Sequence, residues 1–187
     1  MNKLNEFIAM ICGTFDNKQQ YLQEEKSGNI IHPRAQRFIS LCNDRISNLE
    51  EAFTGFFVFE QNYYETADRK TSFQHLFLFD VNEESKIRLT SYELPAAGDN
   101  RSIQNMQVDF RELKVSEKFT PLVYEETEGE FWGESISFFS SVTKFTLSMH
   151  ITKDKLYVNE IFANNGKRMI GYDEPIVYDK ISNLVKK

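Results

Sequence analysis

The spacing of apolar residues changes from a helical period to a strand period at about residue 30. Before that point, the i, i+3, i+4, i+7 spacing predicts an amphipathic helix. Gly13 interrupts the pattern, and Asp16 is a candidate N-cap for a second short helix that ends near Gly28. We therefore expect a helical segment over about 3–27 that packs on the body of the protein. The residues that set the helical spacing are Leu4, Phe7, Ile8, Ile11 and Phe15.

Beyond residue 30, apolar and polar residues alternate in short segments separated by turn residues. No long helical pattern lies between these segments, so an antiparallel meander is favoured over parallel βαβ units. Closing a meander into a barrel removes its exposed edges. We expect a single all-β domain over 1–187, an antiparallel barrel of about ten strands. The predicted strands are 37–44, 53–64, 73–81, 86–94, 119–126, 130–139, 144–151, 155–162, 167–174 and 175–181.

Three connections between the predicted strands are informative. "TKDK" (152–155) and "ANNGK" (163–167) have the composition of hairpin turns. The longest connection, 96–110, is compatible with a short helix or with a flexible lid. The 17 Phe and 8 Tyr of the chain also favour a β-rich interior.

Composition and charge exclude several classes of function. A net charge of −6 and a pI near 5.2 disfavour nucleic acid as a partner. The apolar run 7–12 is too short for a secretory signal or a membrane span, so we expect a cytoplasmic protein. Cys12 and Cys42 are too few for a disulfide framework and match no zinc spacing, which favours buried free thiols.

Two acidic residues lie on apolar stripes of predicted strands. In 53–64 one face holds Glu60 with Phe56 and Val58, and the other holds Phe57 and Phe59; either face is compatible with the interior. Glu160 shares a stripe with Leu156, Val158 and Phe162. A buried carboxylate needs hydrogen-bond donors. The pattern therefore indicates a ligand rich in N–H groups, unless both acids turn outward at strand ends or pair with arginines.

Other polar residues give weaker indications. Arg88 and Tyr92 share one face of 86–94, which is either the outside of the barrel or an interior anion site. His75 alternates with phenylalanines, which is more typical of a hydrogen-bonded core histidine than of a ligand. No metal-binding spacing, nucleophile motif or nucleotide-binding loop occurs in the sequence. The chain therefore shows no covalent catalyst of its own.

Several stretches, in their order and spacing, resemble the T-type phycobiliprotein lyases (the CpcT/CpeT family). The resemblance extends from about residue 8 to residue 181. "GEFWGES" fits the central Phe-x-Gly strand of that family, and the last stretch resembles its closing segment. The stretches are "GTFDNKQQ" (13–20), "FEQNYY" (59–64), "IRLTSYEL" (87–94), "GEFWGES" (129–135) and "ANNGKRMIGYDEPIVYDKI" (163–181).

The sequence also departs from the family pattern. Ile170 replaces the tryptophan of a Trp-Gly pair, Glu174 precedes Pro175 where glycine is usual, and the central cysteines of many members have no counterpart. "SFQH" (72–75) replaces a Tyr-Arg-x-Arg stretch whose arginines are expected to hold bilin propionates. Candidates to replace those arginines are Arg69, Lys70 and Arg88.

The resemblance implies an antiparallel barrel of the lipocalin-like (calycin) class that binds an open-chain tetrapyrrole, a phycobilin such as phycoerythrobilin. Such a lyase transfers the bilin to a cysteine of a phycobiliprotein β-subunit, in phycoerythrin or phycocyanin, and needs no other cofactor. Aromatic walls would hold the flat ligand by stacking. A non-catalytic carrier of the same ligand is the alternative. The composition fits a cyanobacterial or cyanophage origin, and a homodimer is left open.

The resemblance also suggests roles for individual residues. Glu60 and Glu160 would protonate the bilin or pair with its cationic form, because an apolar pocket raises a carboxyl pKa. The acidic residue near the family's last hairpin corresponds to Asn159 or Glu160. Bilin propionates would be held by Arg69, Arg88 or Arg111. The remaining candidates for the ligand cavity are Tyr63, Tyr64, His75, Tyr92 and Trp132.

Overall fold

The computed structural model describes residues 2–94 and 107–183. Most of the connection 96–110 lies outside these residues. The described chain contains two helices, α1 (Lys3–Ile11) and α2 (Lys18–Ser27), and thirteen strands. The strands are β1 (Gly13–Asp16), β2 (Arg34–Leu41), β3 (Ile46–Ser47), β4 (Phe56–Glu65), β5 (Lys70–Val81), β6 (Ile87–Tyr92), β7 (Val108–Asp109), β8 (Leu122–Thr127), β9 (Glu130–Phe138), β10 (Thr143–Ile151), β11 (Lys155–Asn164), β12 (Lys167–Ile170) and β13 (Ile176–Ser182).

Ten of these strands form a closed antiparallel barrel. Their order is β10-β9-β8-β6-β5-β4-β2-β1-β13-β11, and pairing of β11 with β10 closes the ring. β12 pairs with β11 outside the ring, and β3 and β7 form a separate two-residue parallel pair. The predicted all-β barrel with N-terminal helices is therefore confirmed.

The predicted N-terminal helical segment contains a strand. β1 lies between β2 and β13 and completes the ring, but its four residues are too short to show an alternating pattern. The N-cap of α2 is Asn17, and the Asp16 carboxylate instead accepts a hydrogen bond from the Lys18 backbone N–H at 3.1 Å. α2 ends at Gly28, which has the left-handed conformation (φ 73°) expected of a helix C-cap.

Helix α1 closes one end of the barrel. Its apolar stripe is buried, and the Phe7 ring is completely inaccessible to solvent. Phe7 packs at centroid distances of 5.1, 4.8 and 5.0 Å against the inward-facing rings of Phe79, Tyr124 and Phe131. The barrel interior at this end is therefore filled by a hydrophobic core.

Both faces of β4 are buried, which explains why its sequence did not indicate the inward face. Phe57 and Phe59 lie on the outer face in a second apolar cluster with Leu76 and Leu78, next to the segment that follows β2. Val58 belongs to the main core inside the barrel. The inward face of β4 is therefore the one that carries Glu60, Asn62 and Tyr64.

The end of the barrel opposite α1 is lined by aromatic rings, of which Phe145 is buried and the others are partly exposed in the described structure. Phe119, Phe139, Phe145 and Phe162 form a chain of ring contacts with centroid distances of 4.6–6.3 Å. Phe73, on the inward face of β5, is 52% exposed. We call this end the mouth of the barrel. Neither described helix is long and apolar enough to cross a bilayer.

Candidate functional site

Arg37 lies inside the barrel and joins two carboxylates and a phenol. Its Nη1 donates to Glu60 Oε1 at 2.6 Å. Its Nη2 donates to the Tyr64 hydroxyl at 2.9 Å and to Glu160 Oε1 at 3.0 Å. The Tyr64 hydroxyl also donates to Glu160 Oε2 at 3.3 Å. We call Arg37, Glu60, Tyr64 and Glu160 the Arg37 cluster.

Strand register explains how these side chains meet. β2 and β4 are neighbours in which Arg37 faces Asn62 and Ala35 faces Tyr64. The side chains of Arg37, Asn62, Ala35 and Tyr64 therefore share the inward face. Glu160 comes from β11, which lies on the other side of β1 and β13 in the ring. The Arg37 cluster therefore reaches across the interior and ties two separated parts of the barrel wall together.

The cluster is graded in exposure from the interior towards the mouth. The side chains of Arg37 and Glu60 are each 3% exposed, whereas that of Glu160 is 38% exposed. With one positive and two negative charges, the cluster has a formal charge of −1. A cationic or N–H-rich group that enters through the mouth would meet the Glu160 carboxylate first.

The ionisation of the cluster follows from its contacts. Burial alone would lower the pKa of Arg37, but the surrounding phenols and carboxylates raise it well above its usual value. Burial also raises the pKa of the Tyr64 phenol, which stays protonated. For Glu160, burial favours the neutral acid, but the charge and hydrogen bond of Arg37 outweigh it and lower the pKa. Glu160 is therefore a carboxylate at neutral pH.

This result corrects the expectation that the pocket raises the pKa of Glu160. Pairing with arginine is the alternative to an acid that faces a ligand, and the structure shows such pairing for both Glu60 and Glu160. Arg37 itself was missed. The pattern did contain a sign of it, because Arg37 alternates with Ala35 and Ile39 on an apolar stripe of β2.

Two further predicted residues lie near the cluster. His75 faces inward directly opposite Glu60, and its ring stacks on Phe77 at 5.5 Å with an angle of 6°. Asn159 lies next to Glu160 on β11 but points to the outer face, where its amide donates to the Tyr172 carbonyl at 3.2 Å. His75 is therefore part of the interior wall, and Asn159 is not.

The predicted arginines lie outside the interior. Arg88 is on the outer face of β6 and makes two hydrogen bonds to Asp80, at 2.9 and 2.6 Å. Arg111 makes several hydrogen bonds to Asp109 in a short 3₁₀ turn. Arg69 is an exposed residue of the β4–β5 turn, where its carbonyl accepts from Thr66. None of the three contributes a charge to the barrel interior.

Three predicted aromatic residues also point outward. Tyr63 is 40% exposed and contacts Phe38 edge-on at 5.7 Å. Tyr92 packs on Phe57 in the outer cluster at 5.2 Å. Trp132 is 52% exposed on the outer face of β9. They do not line the interior as predicted, because each has the opposite strand parity from the inward-facing residues.

A polar groove of about 510 Å³ lies beside the mouth, where β1, β2, β4 and β5 meet α2. Tyr64 lines it and also belongs to the Arg37 cluster, so the groove adjoins the cluster. Three cationic side chains line the groove, Lys18, Arg34 and Lys70, of which Lys70 pairs with Glu65 at 2.9 Å. A second groove of about 350 Å³ on the outer face is mainly acidic and includes Trp132.

The fold and the site define a class of protein, a ten-stranded antiparallel barrel with a charged cluster inside. Residues 2–94 and 107–183 contain no group of His, Cys, Asp and Glu side chains arranged to hold a metal ion. Comparison with protein-family models finds no match to the chain, and comparison with curated proteins finds none either. The family therefore remains a resemblance.

Proposed function

We propose that this protein binds an open-chain tetrapyrrole in the mouth of its barrel and assists thioether attachment of the pigment to a cysteine of a phycobiliprotein β-subunit. The observation that carries the proposal is the negatively charged Arg37 cluster below a ring-lined opening. Pyrrole N–H groups and a protonated bilin are suitable partners for the Glu160 carboxylate. The partly exposed rings offer flat apolar surface to the conjugated ligand.

The propionates of the bilin would lie in the groove beside the mouth. Two of its cationic side chains, Lys18 and Arg34, replace the predicted arginines in this role, because Arg88, Arg111 and Lys70 are bound to carboxylates. This arrangement separates the two charges of the ligand. The protonated pyrrole nitrogens face Glu160, and the carboxylates face the groove.

In the ligation step, the acceptor thiolate adds to the ethylidene carbon of ring A and forms the C–S bond. The π electrons of the ethylidene bond move to the adjacent ring carbon, which then takes a proton. A cationic tetrapyrrole accepts this addition more readily, and the Glu160 carboxylate stabilises that cation. The protein thus acts by orienting the ligand and stabilising its charge, and the nucleophile belongs to the acceptor.

A non-catalytic carrier of the same ligand is the second candidate. The lowered pKa of Glu160 favours it, because an ionised Glu160 has no proton to donate in the ligation step. The two candidates share the ligand site and differ in whether the pigment reaches the acceptor cysteine.

The test of binding is titration of the purified protein with phycoerythrobilin, followed by visible absorbance. We expect a red-shifted, sharpened band, as for an extended and protonated bilin, and a weaker band in Glu160→Gln. Glu134→Gln is the matched control, because Glu134 is exposed on the outer face of β9. A wild-type spectrum identical to that of free pigment would overturn the proposal.

The two candidates are separated by co-production with bilin-synthesising enzymes and an apo-β-subunit. A covalently coloured subunit that fluoresces with zinc supports the lyase. Pigment that binds the barrel but is not transferred supports the carrier.

A further inference from the structure

Two buried polar atoms inside the barrel, the Arg37 Nε and the Asn62 Oδ1, have no hydrogen-bond partner among the described residues. Both residues are at most 2% exposed. An unpaired polar atom buried in a protein costs about 1–3 kcal/mol, so native structures rarely retain several of them together.

The two atoms belong to one place in the barrel. Arg37 and Asn62 are directly opposite each other on β2 and β4, and both point inward. The Arg37 guanidinium lies over the Tyr178 ring, with its Cζ 5.2 Å from the ring centroid. The other Arg37 nitrogens are used by the Arg37 cluster. One donor and one acceptor therefore remain unpaired at facing positions of two neighbouring strands on the interior wall.

This arrangement complements a cyclic amide. A lactam presents a carbonyl oxygen and an N–H group on one edge, so it can accept a hydrogen bond from one side chain and donate one to another. Each terminal ring of an open-chain tetrapyrrole is such a lactam, whereas its propionates have no hydrogen to donate when ionised.

We propose that Arg37 and Asn62 form the subsite for one terminal lactam of the ligand. The Arg37 Nε–H donates to the lactam carbonyl, and the Asn62 Oδ1 accepts from the lactam N–H. This inference rests on the proposed function and adds the orientation of the ligand to it. The ring that enters first is held by Arg37 and Asn62, below the more exposed Glu160. The opposite end of the ligand stays at the mouth, where an acceptor protein can reach it.

The test compares Asn62→Leu with Gln61→Leu, the matched removal of an amide from the neighbouring, outward-facing position of β4. We expect Asn62→Leu to bind phycoerythrobilin about tenfold more weakly than wild type, because one buried hydrogen bond is lost. Gln61→Leu should bind as wild type does. The ligand-free melting temperature of Asn62→Leu should equal or exceed that of wild type, because an unpaired polar atom is replaced by an apolar group.

Three results would overturn the inference. If Asn62→Leu binds the pigment as tightly as wild type and melts at a lower temperature, Asn62 has a structural role only. If wild type binds no pigment, the proposed function and this inference both fail. Tight binding by wild type with equal binding by Asn62→Leu removes the inference alone. Asn62→Ala serves for the same comparison if Asn62→Leu does not fold.

Discussion

At the scale of single residues, Arg37 determines how the interior can hold charge. Glu60 is 2% exposed and bonds to the Arg37 Nη1. Removing one partner of such a pair leaves an uncompensated charge in a medium of low polarity. Losing one partner of the Arg37–Glu60 pair therefore destabilises the protein strongly, although the intact pair adds little net stability.

We predict that Arg37→Met lowers the free energy of unfolding by about 3–5 kcal/mol, because Glu60 is left buried without its partner. Urea denaturation at neutral pH measures this loss. Arg88→Met is the control, since it breaks a more exposed pair with Asp80 and should cost at most about 1 kcal/mol. Equal losses in the two variants would contradict the assignment of Arg37 to the interior.

Glu160 gives a prediction about pH. Its pKa in the folded protein is below the usual value of 4.5, so the unfolded chain binds its proton more readily. The stabilisation from Glu160 is therefore fully present above about pH 4.5 and is lost as the pH falls through the folded-state pKa. The melting temperatures of wild type and Glu160→Gln should differ most near neutral pH and converge in acid. A difference that grows in acid would indicate a raised pKa instead.

The sequence identified the acids but not the way in which they are held. Glu60 and Glu160 were recognisable because a charged residue on an apolar stripe is unusual. Their common partner was not, because no local pattern connects β2 with β4 and β11, which are distant in the sequence. The pKa of Glu160 was predicted in the wrong direction for this reason, since burial was considered without Arg37.

At the scale of elements, α1 shows how far periodicity can be trusted. Its apolar spacing predicted both the helix and the buried face, and the structure confirms both. β1 was missed because a four-residue strand next to two helices carries little pattern of its own. What defines β1 is pairing with β2 and β13, and that pairing is a property of the closed ring.

We predict that Phe7→Ala lowers the free energy of unfolding by about 3–5 kcal/mol, because it empties the space between Phe79, Tyr124 and Phe131. Phe138→Ala is the matched control on β9. Its side chain is 72% exposed, so its removal should change stability by less than about 0.5 kcal/mol. Chemical denaturation of both variants checks the difference, and a neutral Phe7→Ala would mean that α1 does not support the barrel.

At the scale of the whole molecule, the antiparallel barrel was predictable and its inward face was not. Successive short strands without long helices between them leave few other architectures. The inward face of β4 could not be chosen because the outer cluster buries Phe57 and Phe59 as completely as the main core buries Val58. Alternation indicates the inward face only where one face of a strand meets water.

The closure of one barrel end by α1 has a kinetic consequence. A barrel that is open at one end only cannot take up a ligand and release one through that end at the same time. Under the proposed function, a protein that delivers the bilin would have to leave before the acceptor β-subunit docks, and each transfer would need two separate encounters in a fixed order. Saturating amounts of the delivering partner should then slow transfer instead of speeding it.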